Sequence, residues 1–227
     1  MDASNIIRFL NELRANNNKN WFDANRKWYE DVKSDFFEFS KKLIIEVSKF
    51  DSRINNLDIK DCTYRINRDI RFSNDKSPYK THFGTFICPK GKKSGFGGYY
   101  FHIEPQGGDY LGNHLMAVGA YCPEKDELES IRTEIYDNPE KFIHALKQAK
   151  GFTFDESAKL KKNPKSYPAD FKYIEYLKYK NYCIEKVLSE KDLQDPNLLE
   201  ILLDNYKSAH AFNEIINKSI EYIKENA

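Results

Sequence analysis

The chain has 227 residues and a formal net charge of +1, with 40% hydrophobic and 31% charged residues. That balance excludes a disordered chain and gives no global electrostatic case for nucleic acid or an anionic membrane, so any such case must rest on local clustering. A chain this long can bury a sizeable core, and no run in it approaches the roughly 18 apolar residues of a membrane span.

The opening Met1-Asp2-Ala3-Ser4-Asn5 is acidic and polar where a secretory signal is basic and then apolar, so the expectation is a cytoplasmic protein without membrane partners. Cys62, Cys88, Cys122 and Cys183 are widely separated and form no Cys-x-x-Cys pair. Four reduced thiols are expected rather than a zinc or thioredoxin-type site.

Residues 4–50 read as helical. Ser4 is placed to cap a first helix whose apolar positions Ile6, Ile7, Leu10 and Leu13 follow helical spacing. Asn16-Asn17-Asn18 breaks it, and a longer helix is predicted from about Trp21 to Phe50, with Phe36, Phe39, Leu43, Val47 and Phe50 facing the core. From 62 to 122 the period changes to two. Cys62, Tyr64, Ile66, Ile70 and Phe72 alternate with polar residues, and Phe83-Thr85-Ile87, Tyr99-Phe101-Ile103 and Met116-Val118-Ala120 give three more strand candidates. Gly-rich turns at 90–98 and 107–112 separate them, which predicts an antiparallel meander of about four strands with one wet face.

Helices return after Pro123, with Leu128, Ile131 and Ile135 on one apolar face, and again after Pro139, with Phe142, Ile143 and Leu146. Residues 151–182 read as irregular, and a last helical region runs from about Pro196 to Ile223. The sum is an α+β class, one antiparallel sheet over residues 62–122 covered by N- and C-terminal helices. A single domain over residues 1–227 is expected, because so few strands need helical cover to make a core.

The densest chemistry lies in residues 65–82. Arg65, Arg68, Arg71, Lys76 and Lys80 stand there against only Asp69 and Asp75. Guanidinium forks and ammonium point charges match phosphate or carboxylate oxygens, so this set suits an anion. In an unbroken strand Arg68 shares the face of Ile66 and Ile70, and burying it unpaired is costly. Either a bulge re-aims it to the wet face or it pairs with a buried carboxylate; Asp69 can serve only with such a bulge, since strand neighbours point oppositely, and an Arg–Asp pair that merely locks the sheet accounts for the residues equally well. Arg65 and Arg71 lie roughly 20 Å apart on a straight strand, too far for one phosphate. A compact site therefore needs a bend, or uses Arg71 with the loop from Ser73 to His82, where Lys76, Tyr79 and Lys80 ring the tip.

On the central strand Tyr100, His102 and Glu104 share one face, so His102 with Glu104 is the best candidate for a base and its orienter. A metal would need His82 or His114 nearby, and two candidates on one strand are a weak metal signal. A half-exposed polar pair explains them as well. The stretches 159–165 and 172–180 interleave Lys with Tyr167, Tyr173, Tyr176 and Tyr179, a pattern that serves single-stranded nucleic acid and, more often, a solvated helix face.

The block Arg65-x-x-Arg68-Asp69-x-Arg71-Phe72, followed by Asp75-Lys76-x-x-Tyr79, resembles the signature of the DUF2461 family. Asn17–Tyr29 (Trp-Phe-x-x-Asn-Arg-x-x-Tyr), Gly98–Pro105 and Leu160–Pro164 are similar to it as well. The resemblance implies one full-length domain and places Arg65, Arg68, Asp69, Arg71, Lys76 and Tyr79 in the family's defining site. It implies no reaction type and names no cofactor.

The functional expectation is a site for a phosphorylated or carboxylated small molecule. Arg68, Arg71, Lys76 and Lys80 would hold the anion, with Arg65 in the wider binding set; Tyr79 would donate a hydrogen bond, Asp69 would orient an Arg, and His102 with Glu104 would do any acid/base work. Two alternatives remain: a nucleic-acid module using Arg65, Arg71, Lys80 and the Lys/Tyr segment, and an interaction protein with an internal Arg–Asp network.

Overall fold

The computed structural model describes residues 1–226, and among them the chain forms nine α-helices and one five-stranded antiparallel sheet, an α+β architecture. Helix α1 (Ala3–Ala15) buries Ile6, Ile7, Leu10 and Leu13 at the predicted spacing. Its cap is Asp2 rather than Ser4. The Asp2 carboxylate accepts the Asn5 N–H at 2.9 Å, and a carboxylate caps as well as a hydroxyl does.

The single helix expected from Trp21 is two, α2 (Lys19–Ala24) and α3 (Arg26–Ser48). The break falls at Asn25, which leaves helical backbone geometry while its side-chain amide donates to the Trp21 carbonyl at 2.9 Å. Phe36, Phe39, Leu43 and Val47 are buried along α3, and Phe50 just beyond it packs edge-on to Tyr99.

The expected first strand over 62–72 does not form. Residues Ile59–Cys62 make a short helix α4, closed by reciprocal Asp58 and Asp61 caps. The chain then makes only isolated bridges, Thr63 to Thr85 and Asn67 to Tyr79. The physical reason is local capture of backbone donors. Asp69 accepts the Arg71 N–H at 3.3 Å, Asp75 accepts the Ser77 N–H at 2.9 Å, and Pro78 has no N–H to offer a ladder. Tyr64 and Phe72, whose alternation places them on a core face, are exposed instead, Phe72 to 95%.

The other three expected strands are present: β1 (Phe83–Ile87), β2 (Gly98–Ile103) and β3 (His114–Ala120). Helices α5 (Lys125–Asp137) and α6 (Pro139–Gln148) follow. The region expected to be irregular also contains β4 (Thr153–Phe154), α7 (Ile174–Leu177) and the start of β5 (Tyr182–Leu188). Helices α8 (Glu190–Gln194) and α9 (Leu198–Glu225) end the chain, and the sheet order is β1-β2-β3-β5-β4.

Strand alternation sorts the two faces. Thr85 pairs with Phe101 and Phe101 with Met116, and this side lies under α3 and α9, where Phe36 and Phe39 reach Phe101 and Tyr206 reaches Tyr99. The opposite side carries Phe86, Tyr100, His102, Leu115, Ala117 and Glu185, and loops rather than helices cover it. Among the described residues no helix is long and apolar enough to cross a membrane.

The loop between α4 and β1 is fastened at its neck. Arg68 N–H donates to the Pro78 carbonyl at 2.9 Å and Lys80 N–H to the Ile66 carbonyl at 2.8 Å. Asn17 clasps the same neck from outside. Its amide donates to the Tyr79 carbonyl at 2.9 Å and its oxygen accepts the Tyr79 N–H at 3.1 Å, while the Tyr79 ring stacks on Phe22. Asn17→Ala orphans both backbone groups and is expected to cost roughly 2 kcal/mol in urea denaturation. A cost below about 0.5 kcal/mol would show that the neck holds without the clasp.

A candidate site on the loop-covered face

His102 is fully buried on β2 and both its ring nitrogens are engaged. Nε2 lies 3.1 Å from Glu104 Oε2 and Nδ1 lies 2.8 Å from the Tyr100 hydroxyl. Glu104, also fully buried, follows the end of β2, and its carboxylate accepts three backbone N–H groups from Tyr110, Leu111 and Gly112 at 2.8, 2.7 and 2.9 Å. Burial pushes this carboxyl up, but the His102 ring and those three donors more than offset it and hold its pKa at about 2. In a singly protonated His102 ring, the ionised Glu104 carboxylate places the proton on Nε2. Nδ1 is then left as an acceptor for the Tyr100 O–H.

Two glycines make room for this chain of groups. A Cβ on Gly84, opposite His102 on β1, would lie 2.5 Å from the Tyr100 hydroxyl oxygen, so the phenol can cross β1 only over a glycine. A Cβ on Gly108 would overlap the Glu104 carboxylate, so the loop after β2 can close around that side chain only with no side chain of its own there.

Tyr100 forms part of the floor of a cleft of about 640 Å³, with Phe86, Leu115 and Ala117 beside it and Cys183 and Glu185 at the β5 end. Tyr64, His82 and Phe96 line one wall, and Tyr110, Leu111 and Tyr121 line another. The His82 ring stacks on Tyr110 at 4.5 Å and lies 4.9 Å from the His102 ring. Burial, then the neighbouring His102, push the His82 pKa down to about 3, so His82 is neutral. Its Nδ1 and the Nε2 of His114 are buried without a hydrogen-bond partner.

Cations gather at the rim. The Lys80 and Lys92 ammonium groups lie 5.5 and 5.7 Å from the centroid of the same Tyr64 ring, and no carboxylate among the described residues forms an ion pair with either. Burial, then nearby Arg65, lower the Lys80 pKa. Lys92 also donates to the Lys60 carbonyl.

The residues singled out from sequence divide into two groups. Arg68, Asp69 and Lys80 line the cleft, and Tyr100 connects His102 and Glu104 to it from beneath. Arg65, Arg71, Lys76 and Tyr79 do not line it. Arg71 forms a two-pronged pair with Asp69 in solvent, at 3.0 and 2.7 Å, and Lys76 donates to the Ile70 carbonyl. Tyr79 is buried against Phe22. Arg68 pairs with Asp75 rather than Asp69, and adds the Ser77 carbonyl at 3.2 Å and the Ser73 hydroxyl at 3.4 Å.

Sequence reasoning missed Tyr64, Lys92, Tyr110, Tyr121 and Glu185. Lys92 and Tyr110 sit in the two Gly-rich turns, and those turns were the available signal. The Lys/Tyr segment is tied down: Tyr167 packs on Tyr136, Tyr173 donates to Glu140 at 2.8 Å, Tyr176 packs on Phe142 and Tyr179 is buried. Among the described residues no three His, Cys, Asp or Glu side chains group so as to hold a metal ion.

The Glu104 carboxyl titrates at about 2 in the fold against 4.5 for a free side chain, so the stability it contributes is complete above pH 4.5 and disappears as the pH falls through about 2. The stability difference between wild type and Glu104→Gln should be widest above pH 4.5 and narrow steadily toward pH 2, measured by urea denaturation across that range. A difference that does not change with pH would mean that the carboxylate charge is not what the loop binds.

Searches among curated proteins and among solved structures returned no match. A family model described as "Conserved hypothetical protein (DUF2461)" matches residues 5–214, most of the chain. The chain belongs to the DUF2461 family.

Proposed function

We propose that the cleft binds a small molecule that carries both a flat ring and a phosphate or carboxylate. The observation that carries this reading is that Lys80 and Lys92 both lie against the Tyr64 ring, with no acid among the described residues paired to either. Burial and the nearby Arg65 both disfavour the charge on Lys80 in the free protein. A bound anion offsets both. The aromatic lining from Tyr64, Phe86, Tyr110 and Tyr121 fits a planar group, and the cleft is within the size range of small-molecule sites. Arg68 also lines the cleft, with its guanidinium held by Asp75.

No comparable support exists for nucleic acid. The tyrosines that would stack on bases are engaged in packing, and the net charge is only +1.

The test is a thermal-unfolding series with benzoates, aryl phosphates and nucleoside monophosphates, each beside its uncharged analogue, on wild type and Lys80→Ala. A ligand present at about 100 times its Kd stabilises the fold by roughly 2.7 kcal/mol, a shift of a few degrees at this size. The anion should bind about tenfold more weakly to Lys80→Ala, and the uncharged analogue equally to both. Equal binding of the anion to both proteins would sink the reading.

A further inference from the structure

His102 was the group that alternation singled out for acid/base work, yet it is fully buried and does not line the cleft. The phenol bonded to it does. We propose that Tyr100 is the reactive group of this cleft, passing a proton from a bound ligand to His102 Nδ1 while Glu104 balances the charge that forms on the imidazole. The inference rests on the cleft being a ligand site and adds a reaction to it.

The direction of transfer follows from the hydrogen bonds. The Glu104 carboxylate is held ionised by three N–H groups and accepts from His102 Nε2, so the lone pair on Nδ1 faces the Tyr100 hydroxyl at 2.8 Å. When a ligand hydroxyl or acidic C–H meets Tyr100, its bond to hydrogen breaks and that proton goes to the Tyr100 oxygen. The proton already on that oxygen moves to Nδ1. The ligand is left as an anion and His102 as an imidazolium next to Glu104, so charge and atoms balance without any redox partner.

Burial pushes the Tyr100 hydroxyl well above its usual value of 10, so a free phenolate is unavailable near neutral pH. The two transfers must therefore occur together. Tyr100 is the catalytic residue in this scheme, because it alone of the three faces the cleft, and His102 and Glu104 act through it. The same geometry gives a substrate class: a ring-bearing anion with an acidic hydrogen that reaches the floor while its charged group stays at the Lys80–Lys92 rim.

A merely structural role for the three groups would leave Tyr100 no more reactive than any other tyrosine. The probe is 4-carboxybenzenesulfonyl fluoride, an aromatic anion whose sulfur is attacked by an activated phenol; the S–O bond forms, fluoride leaves and the phenol proton goes to His102 and then to solvent. Peptide mapping should find Tyr100 labelled at least tenfold faster than Tyr222, which is exposed and lies outside the cleft. Labelling of Tyr100 should fall at least tenfold in His102→Gln, with the fold checked by circular dichroism. Equal rates at Tyr100 and Tyr222, or an unchanged rate in His102→Gln, would overturn the proposal.

Nitrogen-15 NMR of the unmodified protein gives an independent test that needs no variant to fold. His102 must carry its proton on Nε2, and a proton on Nδ1 would rule out transfer from Tyr100. The dependence on probe concentration separates the two readings. Saturation that shifts several-fold in Lys80→Ala without a change in maximal rate supports the anion site and the relay together. Fast His102-dependent labelling that does not saturate supports the relay and overturns the anion site.

Discussion

A carboxylate with no solvent exposure must be surrounded by donors, because burying its charge uncompensated would cost more than a domain of this size can spare. Glu104 meets that condition with His102 and three consecutive backbone N–H groups. Much of the loop-covered face is arranged by that requirement. The loop between β2 and β3 has to curl over the side chain, which puts Gly108 against it and carries Tyr110 and Leu111 to the mouth of the cleft. Tyr110 then stacks on His82, and His82 lies two residues from Lys80. A single charge at the end of β2 is thus linked by direct contacts to the loop, the wall and the cationic rim.

The helix-covered face holds β2 in an analogous way. Tyr99, next to Tyr100 and pointing to the other side, donates to Asp51 at 2.8 Å and lies 2.7 Å from His210 Nδ1. Two neighbouring tyrosines are therefore each tied to a histidine and close to an acid, on opposite sides of one strand. The Tyr99 set joins the end of α3, the central strand and α9, and Tyr206 of α9 donates to the Tyr100 carbonyl at 2.7 Å. A strand fixed from both sides gives its side chains little freedom to shift, which a proton path of 2.8 and 3.1 Å requires.

Period-two and helical patterns were legible wherever hydrophobic burial alone determines structure. Strands β1, β2 and β3, helix α1 and the shared face of Tyr100, His102 and Glu104 all came from alternation or helical spacing. The pattern failed at residues 62–72, where the same alternation is present but Asp69, Asp75 and Pro78 remove donors from any ladder. Local side-chain hydrogen bonds outcompeted periodicity there. Strand β5 was missed although Tyr182, Ile184 and Leu188 alternate, because Lys186 interrupts the apolar row; its ammonium reaches Asn205 at 2.8 Å. The cleft was harder still to foresee. Lys92, Tyr110 and Glu185 come from separate loops and strands, and only the register of the sheet and the closure of two glycine-rich turns bring them together.

The basic block shows why counting charges in sequence misplaces an anion site. Of its five cations, Arg71 is taken up by Asp69, Arg68 by Asp75 and two loop oxygens, and Lys76 by the Ile70 carbonyl. These contacts shape the loop, and an exposed, solvent-screened pair such as Arg71–Asp69 adds little stability by itself. Lys80 differs because folding places its partly buried ammonium near another cation, Arg65, and against the Tyr64 ring, with no acid paired to it among the described residues. An arrangement that keeps repulsion in the free protein is tolerated where a ligand later removes it. Arginines bound to their own loop make a rigid frame, and Lys80 beside them, with no acid paired to it among the described residues, is left to respond to an anion.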